Sequence, residues 1–165
     1  MLYFLGDPNP VAIRAQLTKL NRCEGDTTNM RFENDPPLET AFVEFDNGTT
    51  LHQVNAAIRA EYEIICEKGL IRTQNDAEAL YVRKSDGGRN SNDPIEVDPV
   101  EHFCGTERKV RELVDSIRTG KPGVSNLRAT MIGTEIGFGF YESHLQGGAV
   151  VRPPVPNRSR WVASW

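Results

Sequence analysis

Residues 38–58 read LETAFVEFDNGTTLHQVNAAI, and the alternation in this stretch decides the fold class. Ala41, Val43 and Phe45 alternate with Phe42, Glu44 and Asp46, the period-two pattern of a strand with one apolar and one mixed face. Asn47-Gly48 then turns the chain, because this pair readily takes positive φ at both positions, as a type I′ hairpin turn requires. The return strand runs from Thr49 to Ala57.

Working outward, more strands appear on either side. Upstream, Val11, Ile13, Ala15 and Leu17 alternate with Arg14, Gln16 and Thr18, which predicts a half-buried strand over Val11 to Leu20. The polar, aperiodic stretch from Asn21 to Asp35 reads as a loop ended by Pro36-Pro37. Downstream, strands fit Glu61 to Cys66, Leu70 to Thr73 and Glu78 to Lys84, the first two separated by Glu67-Lys68-Gly69. Short strands at such regular intervals read as an antiparallel meander.

Ser85 to Asp98 is rich in Gly, Asn, Ser and Asp and reads as an exposed loop. Two helices follow it. Phe103, Val110, Leu113, Val114 and Ile117 form the stripe of the first, which Gly120-Lys121-Pro122-Gly123 stops. The second spans about Asn126 to Gln146 with Ser125 as N-cap. Its Gly133 and Gly137, four apart, would let another backbone approach closely. After Gly147-Gly148 a short strand fits Ala149 to Arg152, and the Pro-rich tail to Trp165 reads as irregular. Strands first and helices last predict an α+β domain spanning residues 1–165. Its open-faced, mainly antiparallel sheet carries helices on one face, and the other face is solvated or covered by a partner. Phe42, Tyr62 and Tyr81 would help to form such a covered face.

Composition narrows the function classes. A net charge of −4 with scattered basic residues argues against a nucleic-acid surface. The longest apolar-rich stretch, Met131 to Tyr141, is far too short to span a bilayer, so no membrane partner is expected. Cys23, Cys66 and Cys104 are widely spaced and odd in number, and no Cys/His cluster accompanies them. Reduced structural thiols in a cytoplasmic protein are the expectation, with no disulfide or zinc framework. No P-loop, HExxH or GxSxG occurs, and no GxGxxG follows a strand. The histidines stand apart: His52 in mid-strand, His102 before the first long helix, His144 where the dipole of the second helix suits it. The pairs Glu107/Arg111 and Arg108/Glu112 have i, i+4 spacing and read as a solvated helix face. No catalytic constellation emerges.

Several stretches nevertheless resemble the Gfo/Idh/MocA oxidoreductase family in order and spacing. Leu2-Tyr3-Phe4-Leu5-Gly6 is similar to the end of the helix that in the family follows a His- and Asp-bearing segment. Phe42 to Thr49 resembles its hairpin, and Tyr62 to Ile71 resembles its next strand pair. Val110 to Gly120, then Tyr141-Glu142-Ser143 through Gly147, then Val150-Val151 and Pro153, resemble its carboxy-terminal pattern.

The resemblance implies a carboxy-terminal domain that supplies a substrate-pocket floor and oligomer contacts through its open sheet face. An N-terminal Rossmann domain, outside this chain, would hold NAD or NADP. The substrates implied are sugars, inositols and related polyols. The family's Glu-Lys-Pro lysine has no counterpart here: Lys121-Pro122 follows Gly120, and Glu67-Lys68 precedes Gly69. Cys66 stands where a small Gly is usual. Asn55, Arg59 and His102 fall in segments that face the pocket in the family and are the substrate-side residues the resemblance implies. No catalytic, cofactor or metal residue is assigned. The chain alone is expected to be inactive, and Met1 could be internal to a longer protein. The rival reading is a stand-alone binding or scaffold module, since a fold does not fix a function.

Overall fold

The computed structural model of the protein describes residues 5–28, 30–32, 35–55, 61–74, 79–84, 105–124 and 126–162. They belong to two compact units, one formed by Met1–Asn55 with Gly105–Trp165, the other by Ala56–Cys104. The class is α+β, as the alternation predicts, with the strands shared among separate sheets.

In the first unit, β1 (Pro10–Leu17), β3 (Leu38–Phe45) and β4 (Thr50–Val54) make an antiparallel sheet in the order β1-β3-β4. Its inner face is the apolar set read from the sequence, and α2 (Leu127–Leu145) covers it: Ile13, Val43 and Phe45 pack with Ile132 and Ile136. Val11 breaks the expected alternation, being 39 % exposed, because the register shifts between Pro10 and Ala12. The extra residue of that bulge leaves the inward series to Ile13, Ala15 and Leu17.

The hairpin turn differs from the expected type I′. Gly48 N–H donates to the Phe45 carbonyl at 3.0 Å, and only Gly48, at φ +80°, takes the left-handed region. This is a type I turn closed by a glycine bulge. Side chains explain the choice: Asn47 Oδ1 accepts from Thr49 N and Oγ1, while its Nδ2 donates to the Leu5 carbonyl. Asp46 is held in turn by Asn9.

Helix α2 starts one residue later than the expected cap. Asn126, with extended backbone, is the N-cap, and its side chain accepts from Ala129 N at 3.0 Å. Ser125 lies outside the described residues. The close approach is also displaced: a Cβ on Gly133 or Gly137 would meet nothing within 4 Å, whereas one on Gly139 would fall 2.5 Å from Ile13 Cδ1. Gly139 faces the sheet, and the other two do not.

Buried Ser143 joins three segments. Its Oγ accepts from Ala15 N at 2.9 Å and donates to the Ala149 carbonyl at 2.7 Å. Ser143→Ala leaves both backbone groups short of a partner, so a loss of about 1–3 kcal/mol is expected, measurable by urea unfolding. The predicted strand over Ala149 to Arg152 is reduced to a bridge, in which Ile13 and Val151 exchange two hydrogen bonds of 2.8 Å.

The stretch expected to be all loop contains β2 (Arg31–Phe32), and the tail contains β8 (Trp161–Val162), paired with β2 in parallel. Asp26 shapes the approach to β2 by accepting from Thr28 Oγ1 and from the backbone of Arg31, Thr28 and Met30. These bonds, first among them that from the Thr28 hydroxyl, hold its carboxyl well below the usual range. Helix α1 (Gly105–Thr119) has no buried residue among those described, so its stripe of Val110, Leu113, Val114 and Ile117 is open. Glu107 and Arg111 form the expected exposed i, i+4 pair at 2.8 Å, while Glu112 Oε1 instead accepts from Val124 N.

In the second unit, β5 (Glu63–Cys66), β6 (Gly69–Gln74) and β7 (Ala79–Lys84) form the expected antiparallel meander. Gly69, at φ +142°, allows no side chain, since a Cβ there would sit 2.0 Å from the Arg83 carbonyl oxygen. Glu61 and Arg72 pair at 2.9 Å on its surface.

Candidate functional site

The outer face of the β1-β3-β4 sheet carries the chemistry. Cross-strand register places Arg14, Phe42 and His52 in one row, and Ala12, Glu44 and Thr50 in the next. The Phe42 and His52 rings meet edge-on, with centroids 4.7 Å apart. Beyond the β1 edge, the bridge at Val151 sets Val150 and Arg152 beside this face. Ala12, with its small side chain, is the low point between larger neighbours. A concavity of about 120 Å³ results, lined by Ala12, Arg14, Phe42, Glu44, Val150 and Arg152 along with Ile13. The side chains of Arg14, Glu44 and Arg152 make no hydrogen bond or ion pair with another described residue. Two arginines, a glutamate and a phenylalanine thus line one shallow site, a set suited to polar, charged ligands.

A second polar cluster is buried. Glu142 accepts from Arg160 Nη2 at 2.5 Å, Gln146 Nε2 at 2.7 Å and Asn157 Nδ2 at 3.2 Å. Burial opposes ionisation of this carboxyl, but those donors and the Arg160 charge outweigh it and hold the group below its ordinary value. The Arg160 guanidinium lies over Phe32, whose ring stacks on Tyr141 at 6.2 Å. Burial, with the hydrogen bond to Asp35, raises the Tyr141 phenol above its usual range. Every member holds another member, so the cluster is a fastening for the tail.

Of the substrate-side residues that the resemblance implies, Asn55 lies exposed just past β4, its N–H donating to the Glu39 carbonyl at 2.8 Å. Arg59 and His102 lie outside the described residues. His52 belongs to the outer face. His144 accepts at Nδ1 from Leu17 N at 3.3 Å, a packing role. Arg14 and Glu44 were readable as outward members of alternating strands. Arg152 carried no such signal, because only the bridge at Val151 brings the tail to the sheet. Among the described residues no group of three His, Cys, Asp or Glu side chains could hold a metal, and no helix is long and apolar enough to cross a membrane. Cys23 and Cys66 are free thiols.

Parallel pairing among the described residues is confined to the two-residue strands β2 and β8, and the N-terminus of α2 is closed by the Asn126 side chain.

No family model and no curated protein matches the sequence. The fold is similar to that in the crystal structure of aldose-aldose oxidoreductase from Caulobacter crescentus complexed with glycerol, with a TM-score of 0.53 and 19% identity. The match covers 90% of this chain but 43% of that one, so the chain spans less than half the length of that protein. At this identity the likeness is one of fold: the chain has the α+β architecture of part of that protein.

Proposed function

We propose that this chain is the substrate-binding and oligomerisation part of an NAD(P)-dependent oxidoreductase acting on sugars, inositols or related polyols. The observation that carries the reading is the likeness, over nine-tenths of the chain, to a portion of an oxidoreductase named for its aldose substrates. The order of the hairpin and carboxy-terminal stretches in the sequence supports the same family. In this reading NAD or NADP binds elsewhere in the parent protein, the chain alone turns nothing over, and the outer sheet face pairs with a second copy.

Calorimetric titration of the purified chain tests the division of labour. Saturable binding of an aldose or inositol without cofactor is the expected result. NADH fluorescence that rises on adding the chain would contradict it. Self-association is tested separately. Phe42→Asp places a charge in the middle of the outer face and is expected to halve the mass measured by light scattering, as for an isologous dimer. An unchanged mass would remove that part of the reading.

A further inference from the structure

We propose that the concavity on the outer face binds a small hydroxycarboxylate, a ligand distinct from the neutral sugar or polyol of the preceding reading. Arg14, Arg152 and Glu44 line it, a net charge of one positive, and neither arginine side chain has a hydrogen-bond or ion-pair partner among the described residues. An oxyanion that accepts from both guanidiniums matches that excess of positive charge. The backbone under them is fixed in advance. Arg14 sits in the centre of β1, and Arg152 follows Val151, which exchanges two 2.8 Å hydrogen bonds with Ile13. Ser143 holds the same strap through the Ala149 carbonyl.

The remaining lining determines the rest of the ligand. Glu44 offers acceptors, which suit hydroxyl donors and repel a second anionic group. The half-buried ring of Phe42 offers a face for C–H groups. The concavity is small and shallow, about 120 Å³, so a short hydroxy acid is the ligand chosen. The carboxylate is therefore expected between Arg14 and Arg152, with its hydroxyls turned to Glu44.

The test titrates glycerate, glycerol and inorganic phosphate into the ¹⁵N-labelled chain and follows amide shifts around Ala12, Arg14 and Arg152. It is run on the natural sequence and on Val54→Asp. Val54 is 72 % exposed on the same sheet but does not line the concavity, so this variant keeps the site open even if copies pair. Saturable glycerate binding in the millimolar range is expected, weakened about ten-fold or more by Arg14→Gln or Arg152→Gln and by raised salt. Glycerol is expected to give no saturable shift. Absence of glycerate binding in Val54→Asp would overturn the proposal, as would equal binding of glycerol or indifference to both arginine variants. Phosphate binding without glycerate binding would mark a bare anion site and overturn the ligand class. None of these outcomes depends on cofactor or sugar binding, so this proposal and the oxidoreductase reading can fail separately.

Discussion

Glu142→Leu is expected to destabilise the protein by about 3–5 kcal/mol in urea unfolding, because it strands the Arg160 guanidinium in the interior. The two side chains are 8 % and 2 % exposed, so water can hardly replace the lost partner. Removing both charges should restore most of the loss: in Glu142→Leu with Arg160→Met, an apolar chain replaces the guanidinium over the Phe32 ring. If the double variant is as unstable as the single one, the cost lies in packing rather than in the stranded charge.

The same pair predicts a pH dependence. In the folded protein the Glu142 carboxyl titrates below its ordinary value of 4.5, so the unfolded chain binds more protons as pH falls. The stabilisation is therefore complete above pH 4.5 and fades as pH drops through the folded value. Glu142→Gln, which cannot ionise, should flatten that part of the acid limb, while the limb due to Asp26 and other carboxyls remains.

Phe32→Ala carries the second large effect, about 3–5 kcal/mol. Phe32 is fully buried, stacks on Tyr141 and lies beneath Arg160, so its loss opens a cavity at the centre of the tail fastening. Because Arg160 is common to both sites, the losses in Phe32→Ala and Glu142→Leu should not add. A double variant no worse than about 1 kcal/mol beyond the larger single one would show the coupling; full additivity would show two independent anchors.

Both predictions fall where the sequence was least readable. Strands β1, β3 and β4 were legible because alternation reports burial directly, and Asn47-Gly48 reported the turn though not its type. The type depended on Asn47 reaching Leu5 and Thr49, which no local pattern encodes. The fastening was missed for the same reason. Phe32 sits in a polar stretch without periodicity, Arg160 in a tail that looked irregular, and Glu142 on a helix, and folding alone brings them together. Gly139 shows the difference within one helix: the four-residue spacing singled out Gly133 and Gly137, and only the sheet's position shows that Gly139 is the one that meets Ile13. Half of the outer face was legible, from the outward residues Arg14, Phe42, Glu44 and His52. Arg152 was not, since it arrives through a bridge 138 residues along the chain from Ile13.

The Ser143 clasp also governs the order of events on the ribosome. Its partner Ala15 is made 128 residues earlier, an interval of roughly 6–26 s at about 5–20 residues per second. From the completion of β4 at Val54 until α2 is made, the sheet lacks the helix that covers Ile13, Val43 and Phe45. The nascent hairpin therefore leaves the tunnel with its apolar face uncovered, and that face is closed only when the helix arrives.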